Sequence, residues 1–386
     1  MSEYVRHIKQ LEKPFVPRLG QLDLELTERC NNNCIHCCIN LPATDADARQ
    51  RELTTAQVKD ILQQAADLGC LQALFTGGEP LLRHDFEDLY LFTRRLGLKV
   101  LLFTNASLIT PRLADLFAHI PPLMEIEITV YGMHPESYEA VTRAPGSFAK
   151  FRRGVNLLLA RNVPFVVKGA LLPQNRHEIG EFDAWAQTIP WMSQRPKYAM
   201  FFDLRNRRDD ADKNRLIESL RPSPQEGLAV YLRDEAKYRR WTPELALKLL
   251  QPRGDRLFNC GACEGRHVCV DAYGRAQPCM GIRAPEFTCN IIGVKDHSPL
   301  QDALDRFTRL RNLRAENPDY LRRCAVCFLK GLCEQCPAKS WTENGAFDTP
   351  VECLCDAAHA VARYLGWMGN SEYGWEVRDW RERVKE

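Results

Sequence analysis

The stretch LDLELTERCNNNCIHC, residues 22–37, joins a short apolar strand to three closely spaced cysteines. Its leucines alternate with polar residues, which is the pattern of a β-strand. Cys30, Cys34 and Cys37 follow at once in a C-x3-C-x2-C array. A closed four-iron cluster takes four thiolates, whereas metal sites that perform chemistry keep a position open. The loop therefore indicates an iron–sulfur cluster that a further ligand completes, with part of a zinc site as the alternative.

Downstream of this loop, predicted strands alternate with predicted helices. A capping box of Thr54 and Gln57 opens the first helix, and a glycine follows each of the first two helices. The alternation predicts an α/β fold of about six βα units around a parallel sheet, open or barrel-like, which is fewer than the eight units of a closed TIM barrel. Strands are predicted at residues 22–26, 71–75, 99–103, 124–130, 165–170 and 198–204, and helices at 54–68, 86–96, 111–119, 147–161 and 178–188.

Unusual residues follow the ends of five predicted strands. The second strand leads into Gly77-Gly78-Glu79-Pro80, where the glycines let the backbone approach a ligand closely and Glu79 offers a carboxylate to an ammonium group. Because the carboxyl ends of parallel strands meet at one rim, we expect these residues to converge with the cysteine loop. The unusual residues at the ends of the third, fourth and fifth predicted strands are Thr104 and Asn105, Thr129 and Tyr131, and Lys168 and Gly169.

Composition and charge narrow the function classes. The chain has 386 residues, of which 26% are charged, and a formal net charge of +2, so no electrostatic argument favours nucleic acid or a membrane surface. The N-terminus shows no signal peptide, and no apolar run is long enough to span a bilayer. We therefore expect a cytoplasmic protein, in which sixteen cysteines indicate metal binding rather than disulfides.

The last third of the chain is rich in cysteine. Eleven of the sixteen cysteines lie between Cys260 and Cys355. A compact motif, C-x2-C-x5-C-x2-C, spans residues 324–336, and its two C-x2-C pairs also suit a zinc ribbon. Since the segment has little apolar periodicity, we expect bound metal to hold it together.

The chain divides into five predicted parts. Residues 205–226, where the predicted barrel ends, read as a linker or surface excursion. Residues 228–250, which follow, look helical. In the last part, three tryptophans are expected to pack against the main body. The parts are an N-terminal extension (1–19), a partial barrel (20–225), a helical connector (226–255), an auxiliary-cluster domain (256–356) and a helical tail (357–386), and the tryptophans are Trp367, Trp375 and Trp380.

The three-cysteine loop, with His36 before its last cysteine, together with the Gly-Gly-Glu-Pro turn, resembles the radical S-adenosylmethionine (SAM) superfamily. The resemblance implies a partial (β/α)6 barrel and a four-iron cluster on the three loop cysteines, whose open iron binds SAM. It further implies that residues 77–80 bind the methionyl amine and that Asn105, Thr129 and Arg143 lie near SAM. The implied chemistry is reductive cleavage of SAM to a 5′-deoxyadenosyl radical, which abstracts hydrogen from the substrate. An electron donor such as flavodoxin or ferredoxin is the implied partner.

The C-terminal cysteine order is similar to the SPASM extension of these enzymes, which holds two auxiliary four-iron clusters. Two departures leave the ligands open: the last spacing of the compact motif is x2 rather than x3, and three upstream cysteines exceed the usual two. Cys38, Cys70 and Cys289 are expected to be small buried side chains. The resemblance implies Cys324, Cys327, Cys333 and Cys353 for the distal cluster, with Cys355 as the alternative to Cys353, and Cys279, Cys336 and two of Cys260, Cys263 and Cys269 for the proximal cluster.

SPASM enzymes mostly modify ribosomally made peptides by crosslinking, epimerisation or oxidation, so the resemblance implies a peptide maturase. Because 29 residues precede Cys30, too few for a leader-binding module, we expect leader recognition either to need a separate protein, as in pyrroloquinoline quinone maturation, or to be absent. A radical SAM dehydrogenase or epimerase acting on a small molecule is the alternative, and a zinc-stabilised interaction protein is an alternative of another class. Met280 follows Cys279 where sulfatase-maturing relatives carry an aspartate, which argues against sulfatase maturation, and no catalytic base is assigned.

Overall fold

The computed structural model describes residues 18–248, 250–293 and 298–384. The predicted N-terminal extension, apart from its last two residues, lies outside these ranges. A nine-stranded sheet and a two-stranded sheet form the β-structure. The strands are β1 (Gln21–Thr27), β2 (Arg29–Cys30), β3 (Leu41–Pro42), β4 (Gln72–Gly77), β5 (Lys99–Thr104), β6 (Leu123–Val130), β7 (Val166–Ala170), β8 (Tyr198–Ala199), β9 (His267–Val270), β10 (Arg275–Gln277) and β11 (Cys289–Asn290).

Helices follow the strands of the barrel and then dominate the C-terminal part. No helix within the described ranges is long and apolar enough to cross a bilayer. The helices are α1 (Ala46–Arg51), α2 (Thr55–Asp67), α3 (Phe86–Arg95), α4 (Pro111–His119), α5 (Pro135–Thr142), α6 (Ser147–Ala160), α7 (Ile179–Ala186), α8 (Ala211–Leu220), α9 (Pro224–Tyr231), α10 (Glu235–Leu247), α11 (Pro299–Phe307), α12 (Pro318–Arg322), α13 (Pro337–Asn344), α14 (Glu352–Tyr364) and α15 (Trp380–Arg383).

The predicted parallel array of six βα units is confirmed. The strand order β1-β4-β5-β6-β7-β8 follows the chain, and every neighbouring pair in it is parallel. The capping box of Thr54 and Gln57 is formed at the start of α2. Gly69 and Gly97, which follow α2 and α3, have positive φ angles, as expected for glycines that end helices.

The cysteine-rich region contributes strands to the same sheet, which the sequence did not predict. β9 pairs in parallel with β1, and β10 and β11 continue the sheet in antiparallel fashion. The apolar side chains of Val268 and Val270 are fully buried, so β9 has a short alternating pattern of its own. β9 has only four residues, and so short a run cannot be distinguished from irregular chain by its sequence.

The two faces of β1 differ in chemistry. Leu22, Leu24 and Leu26 are at most 1% exposed and belong to the main hydrophobic core. On the opposite face, the buried carboxylates of Asp23 and Glu25 pair with His267, at 2.7 Å, and with Arg283. The inner face of the barrel is therefore polar and linked by ion pairs to the cysteine-rich region.

Four predicted elements differ from the structure. The strand predicted at 198–204 is only the two residues of β8, and the linker predicted at 205–226 contains α8 and the start of α9. The helix predicted at 228–250 is divided by a 3-10 turn between α9 and α10. Ser147 is the first residue of α6 rather than its N-cap, because Gly146 caps the helix with a positive φ and the Ser147 hydroxyl bonds Thr142.

The C-terminal tail packs as predicted, although only parts of it are helical. Trp367 is 5% exposed and lies in a small hydrophobic cluster with Phe328 and Leu250. The ring of Trp380 stacks on Phe328 with ring centroids 5.4 Å apart, and Trp375 stacks on Tyr373. These aromatic contacts close the tail over the cysteine-rich region.

Candidate active site

The three cysteines of the N-terminal loop lie together at the carboxyl ends of the barrel strands. Cys30 ends β2, and Cys34 and Cys37 follow in chain without regular secondary structure. The amides of Asn33 and Ile35 donate to the last carbonyl groups of α5, at 2.8 and 3.0 Å. The loop is thus fixed against the helix that follows β6.

The electrostatics of the loop thiols fit a bound metal cluster. Burial and, to a lesser extent, the neighbouring Cys37 together raise the pKa of Cys34 to about 12. The pKa of Cys30 is raised well above its usual range by burial and, second, by the Glu79 carboxylate. The side chain of Asn32 is 3% exposed, and neither of its polar atoms has a partner in the described structure. Clustered thiols and unpaired buried polar atoms are what a cationic group with inorganic sulfur would satisfy.

The two glycines of the Gly-Gly-Glu-Pro turn are required by the protein itself. Gly77 has a φ of +129°, and a Cβ on it would overlap the carbonyl oxygen of Thr27. A Cβ on Gly78 would overlap the carbonyl oxygen of Arg29. The amides of Gly78 and Glu79 donate to these same two carbonyl groups, at 2.7 and 2.9 Å. The turn after β4 therefore packs backbone to backbone against the start of the cysteine loop.

The Glu79 carboxylate is bound by protein donors, and its contact with the ammonium group of a ligand stays a prediction. Its side chain is 1% exposed and accepts from the Thr104 hydroxyl at 2.8 Å and from the amides of Asn105 and Leu81 at 2.8 and 3.2 Å. Burial raises the pKa of Glu79 to about 7. The carboxylate thus joins the end of β4 to the end of β5, and backbone groups of the turn remain for a ligand.

Two of the other three residues predicted to contact SAM lie at the site, and the third does not line the cavity. The side-chain nitrogen of Asn105 is 3.0 Å from the side-chain oxygen of Asn31 and 3.9 Å from the Cys30 sulfur, so this residue lies beside the cysteine loop. Thr129 lines the adjoining cavity. Arg143 ends α5 with a positive φ and is exposed, and it does not line that cavity.

A cavity of about 510 Å³ lies between the barrel and the cysteine-rich region. Cys37, Gly77 and Thr129 line it on the barrel side, and Glu334 and Lys339 line it on the other side. A second cavity of about 450 Å³, bordered by α8 and α9, contains none of the predicted site residues. The first cavity is therefore the candidate substrate site.

His36 belongs to the aromatic wall of this cavity. Its ring packs on Phe202 and Tyr131, with centroids 4.7 and 5.6 Å away. Burial lowers the pKa of His36 to about 3, so the imidazole is neutral. This placement agrees with a packing residue and excludes a cationic one.

Sequence reasoning missed the charged side chains of the cavity wall. Lys168, at the end of β7, pairs with Glu127 on β6 and lies 4.3 Å from the centroid of the Phe103 ring. Lys339 on α13 is 2.9 Å from Glu334 and 3.7 Å from Asp203. The sequence singled out Lys168 only as a residue near a strand end. No local pattern predicts the group around Lys339, because Asp203 is far from Glu334 and Lys339 in the sequence.

Four C-terminal cysteines line one small cavity, and Cys355 rather than Cys353 is among them. Burial raises the pKa of Cys355 to about 11 and that of Cys324 to about 12, with other cysteines of the set adding to the rise. Cys353 instead accepts from the Arg221 guanidinium at 3.5 Å. Because the two cysteines are two residues apart on α14, they face different directions. The four cysteines of the cavity are Cys324, Cys327, Cys333 and Cys355.

The remaining predicted ligands lie around Cys279 and in the sheet. Burial and, to a lesser extent, the neighbouring thiols of Cys336 and Cys260 together raise the pKa of Cys279 to about 12. Cys263 is in the same turn as Cys260 and donates to its carbonyl group at 3.0 Å. Cys269 is fully buried in β9, where Glu25 and Arg283 act on it and the thiol of Cys279 also raises its pKa. The structure therefore brings Cys260, Cys279 and Cys336 together and leaves Cys263 and Cys269 as the two candidates for a fourth ligand.

No disulfide joins any of the sixteen cysteines, all of which lie within the described residues. Within residues 18–248, 250–293 and 298–384, no group of three or more His, Cys, Asp or Glu side chains is arranged to hold a single metal ion.

Comparison with known proteins places this geometry in a wider context. Residues 24–186 match the model of the radical SAM superfamily. The chain is 25% identical over 346 residues to an AdoMet-dependent heme synthase of Methanosarcina barkeri, covering 86% of this chain and 94% of that protein. It is 28% identical over 349 residues to a PqqA peptide cyclase of Xanthomonas axonopodis pv. citri, covering 86% and 82%.

A solved structure shares the fold. The structure of native anSMEcpe with bound AdoMet and Cp18Cys peptide superposes with a TM-score of 0.59 at 15% identity, covering 90% of this chain and 96% of that one. At this level of identity the likeness concerns the fold, and it includes both the barrel and the cysteine-rich region.

Replacing Gly78 by alanine should destabilise the chain by about 1–3 kcal/mol or more, because the added Cβ overlaps the carbonyl oxygen of Arg29. Gly180→Ala in α7 is the matched control, since nothing lies within 4 Å of its Cβ position. Thermal unfolding of both variants measures the effect. Equal melting temperatures would show that the turn tolerates a side chain.

Glu79→Gln should remove a pH-dependent part of the stability. In the folded chain the pKa of Glu79 is about 7, whereas an unperturbed glutamate has about 4.3. The folded state holds the proton where the unfolded state releases it, so the free energy of unfolding falls between pH about 4.3 and about 7 and is level above.

Urea unfolding at several pH values tests this difference. The gap in the free energy of unfolding between the native chain and Glu79→Gln should change across that window and stay constant at higher pH. Glu87→Gln, on the exposed side of α3, should leave the profile unaltered. A parallel pH profile for Glu79→Gln would contradict the buried carboxylate.

Proposed function

We propose that this chain, a member of the radical SAM superfamily with a C-terminal cysteine-rich domain of the SPASM type, reductively cleaves SAM and modifies a peptide. The observation that carries the proposal is the cavity of about 510 Å³ between the cysteine loop and the cysteine-rich region. It adjoins the loop thiols through Cys37 and the turn after β4 through Gly77. When bound, a reduced cluster and SAM supply a 5′-deoxyadenosyl radical that abstracts hydrogen from the substrate.

The residues of the chain bind and orient these groups. Cys30, Cys34 and Cys37 would hold the SAM-binding cluster, and the backbone of Gly77 and Gly78 would receive the methionyl amine. The apolar ring contacts of His36 exclude water from the cavity beside the cluster. Asn105 and Thr129 are proposed as further SAM contacts, and Arg143 as a charge outside the cavity.

The auxiliary ligands are proposed from the arrangement of the C-terminal thiols. Two four-iron clusters would be positioned to accept or relay an electron from the substrate radical, and an external donor such as flavodoxin or ferredoxin would reduce the first cluster. The distal set is Cys324, Cys327, Cys333 and Cys355, and the proximal set is Cys260, Cys279 and Cys336 with either Cys263 or Cys269.

A peptide substrate is supported by two of the similar proteins. One is a peptide cyclase by name, and the structure of another contains a bound peptide. The cavity also has charged pairs on both walls, which suit the polar backbone of a peptide. A separate leader-binding protein is proposed as its partner.

A small molecule is the second candidate substrate. The heme synthase of Methanosarcina barkeri matches over 94% of its own length. Coexpression with short peptides encoded beside the gene, followed by mass spectrometry, separates the two candidates. Loss of hydrogen from a peptide supports the maturase, whereas 5′-deoxyadenosine formed only with a small metabolite supports the second candidate.

Replacing Cys30, Cys34 and Cys37 together by alanine should abolish SAM cleavage and leave roughly eight irons per chain, because two four-iron clusters remain. The assay is 5′-deoxyadenosine release by anaerobically reconstituted protein with dithionite. Cys70→Ala, which changes a buried thiol beside the Gln72 carbonyl, is the control and should retain both activity and iron. Absence of 5′-deoxyadenosine from the native chain would refute the function itself.

Cys355→Ala should lower the iron content by roughly four atoms per chain, because it removes a ligand of the distal cluster. Cys353→Ala should keep the full iron content, since its thiol does not line the small cavity of the other four cysteines. Iron analysis and the visible spectrum measure both. The opposite result for the two variants would restore Cys353 as the ligand.

A further inference from the structure

We propose that residues 205–213, here termed the clamp segment, fix the cysteine loop to the cysteine-rich region and raise the reduction potential of the loop cluster through the charge of Lys213. The inference rests on the proposed cluster at Cys30, Cys34 and Cys37. The clamp segment connects β8 to the first turn of α8.

The clamp segment first contacts the cysteine loop. Each donor binds a backbone carbonyl group, so the contacts hold the course of the loop rather than particular side chains. The loop itself has no regular structure between β2 and β3 and depends on such contacts. The donors and carbonyls are Lys213 to Cys34 at 2.7 Å, the amide of Asn206 to Cys38 at 3.3 Å, Arg207 to Ile39 at 3.3 Å and Arg205 to Asn40 at 3.2 Å.

The same segment also contacts the cysteine-rich region. The side chain of Asn206 donates to the carbonyl of Met280, at 3.1 Å, next to Cys279. The guanidinium of Arg208 donates to the carbonyls of Trp341 and Thr342, at 2.8 and 2.7 Å. These carbonyls belong to the last turn of α13, where a cation is favoured by the helix dipole. One short segment therefore binds the backbone beside both sets of thiols.

Internal contacts give the clamp segment a fixed shape. Arg205 is 5% exposed and forms a two-point ion pair with Asp209, at 2.9 and 3.0 Å. Arg207 pairs with the buried carboxylate of Glu28. The side chain of Asp210 accepts from the amide of Lys213, at 2.8 Å, and caps α8. The segment is therefore prearranged to meet both partners.

Lys213 differs from Arg205 and Arg207 in the kind of group that its positive charge contacts. The charges of Arg205 and Arg207 are offset by adjacent carboxylates. The Lys213 ammonium instead donates to the neutral backbone carbonyl of Cys34. A positive charge near a cluster favours its reduced form, and partial burial limits screening by salt.

The charge role is tested by a redox titration of the reconstituted full chain, followed by electron paramagnetic resonance. The signal that changes on adding SAM belongs to the loop cluster and is followed in each variant. Lys213→Met should shift the reduction equilibrium about tenfold toward the oxidised form, which is about 59 mV for one electron. Lys213→Arg should restore the native value.

Arg215→Met is the matched control, because Arg215 lies on the same helix and pairs with the exposed Asp212. It should leave the potential unchanged. A potential for Lys213→Met equal to that of the control would overturn the charge role.

The positioning role is tested by hydrogen exchange of the reconstituted full chain, because bound metal is expected to hold the cysteine-rich region together. Arg208→Ala should accelerate exchange of amides in residues 31–40 several-fold and leave β4 and β5 unaltered. Arg306→Ala is the control, since Arg306 also donates to a backbone carbonyl, that of Glu286, at 2.8 Å. Equal loop exchange in both variants would overturn the clamp. Because amide exchange reports neither SAM cleavage nor substrate modification, its outcome is separate from that of the proposed function.

Discussion

The site depends on one backbone contact, the packing of the Gly77-Gly78 turn against the end of β1 and the start of β2. Their amide and carbonyl groups pair directly, and no side chain fits between them. This contact fixes where the cysteine loop leaves the sheet. The Glu79 carboxylate then binds the start of the next strand-end loop, so three successive strand ends become one rigid unit. A loop without regular structure can hold three thiols in place because its entry is fixed in this way.

The cysteine-rich region completes the site rather than extending it. β9 pairs with β1, so the region begins on the strand that leads into the cysteine loop. α13 then brings Lys339 to the wall of the cavity opposite Cys37. The cavity therefore exists only when both parts of the chain are folded against each other. This arrangement suits a reaction in which the barrel generates a radical and the cysteine-rich region receives an electron.

The sequence predicted the parts of the site that a local pattern encodes. Strand periodicity located β1 and β4 to β7, and the cysteine spacing located the loop thiols. Contacts between residues distant in the sequence were not predicted, because nothing local reveals the buried donors to the Glu79 carboxylate. The choice between Cys353 and Cys355 depends on which side of α14 faces the other three cysteines of the small cavity. Residues 205–213 read as a linker because their partners are backbone carbonyls, which leave no trace in the sequence.

The charges of the cavity bear on its substrate. Lys168 pairs with Glu127 at the barrel wall, and Lys339 pairs with Glu334 at the opposite wall. Both lysine side chains are partly exposed, at 33% and 21%, so their ion pairs cost little to exchange for contacts with a ligand. A ligand with donors and acceptors can replace these pairs, whereas an apolar group placed against them would leave both pairs desolvated. Aromatic and apolar side chains, among them Met200, Phe201 and Phe202, line much of the remaining cavity. The lining therefore suits a substrate that carries both polar and apolar groups.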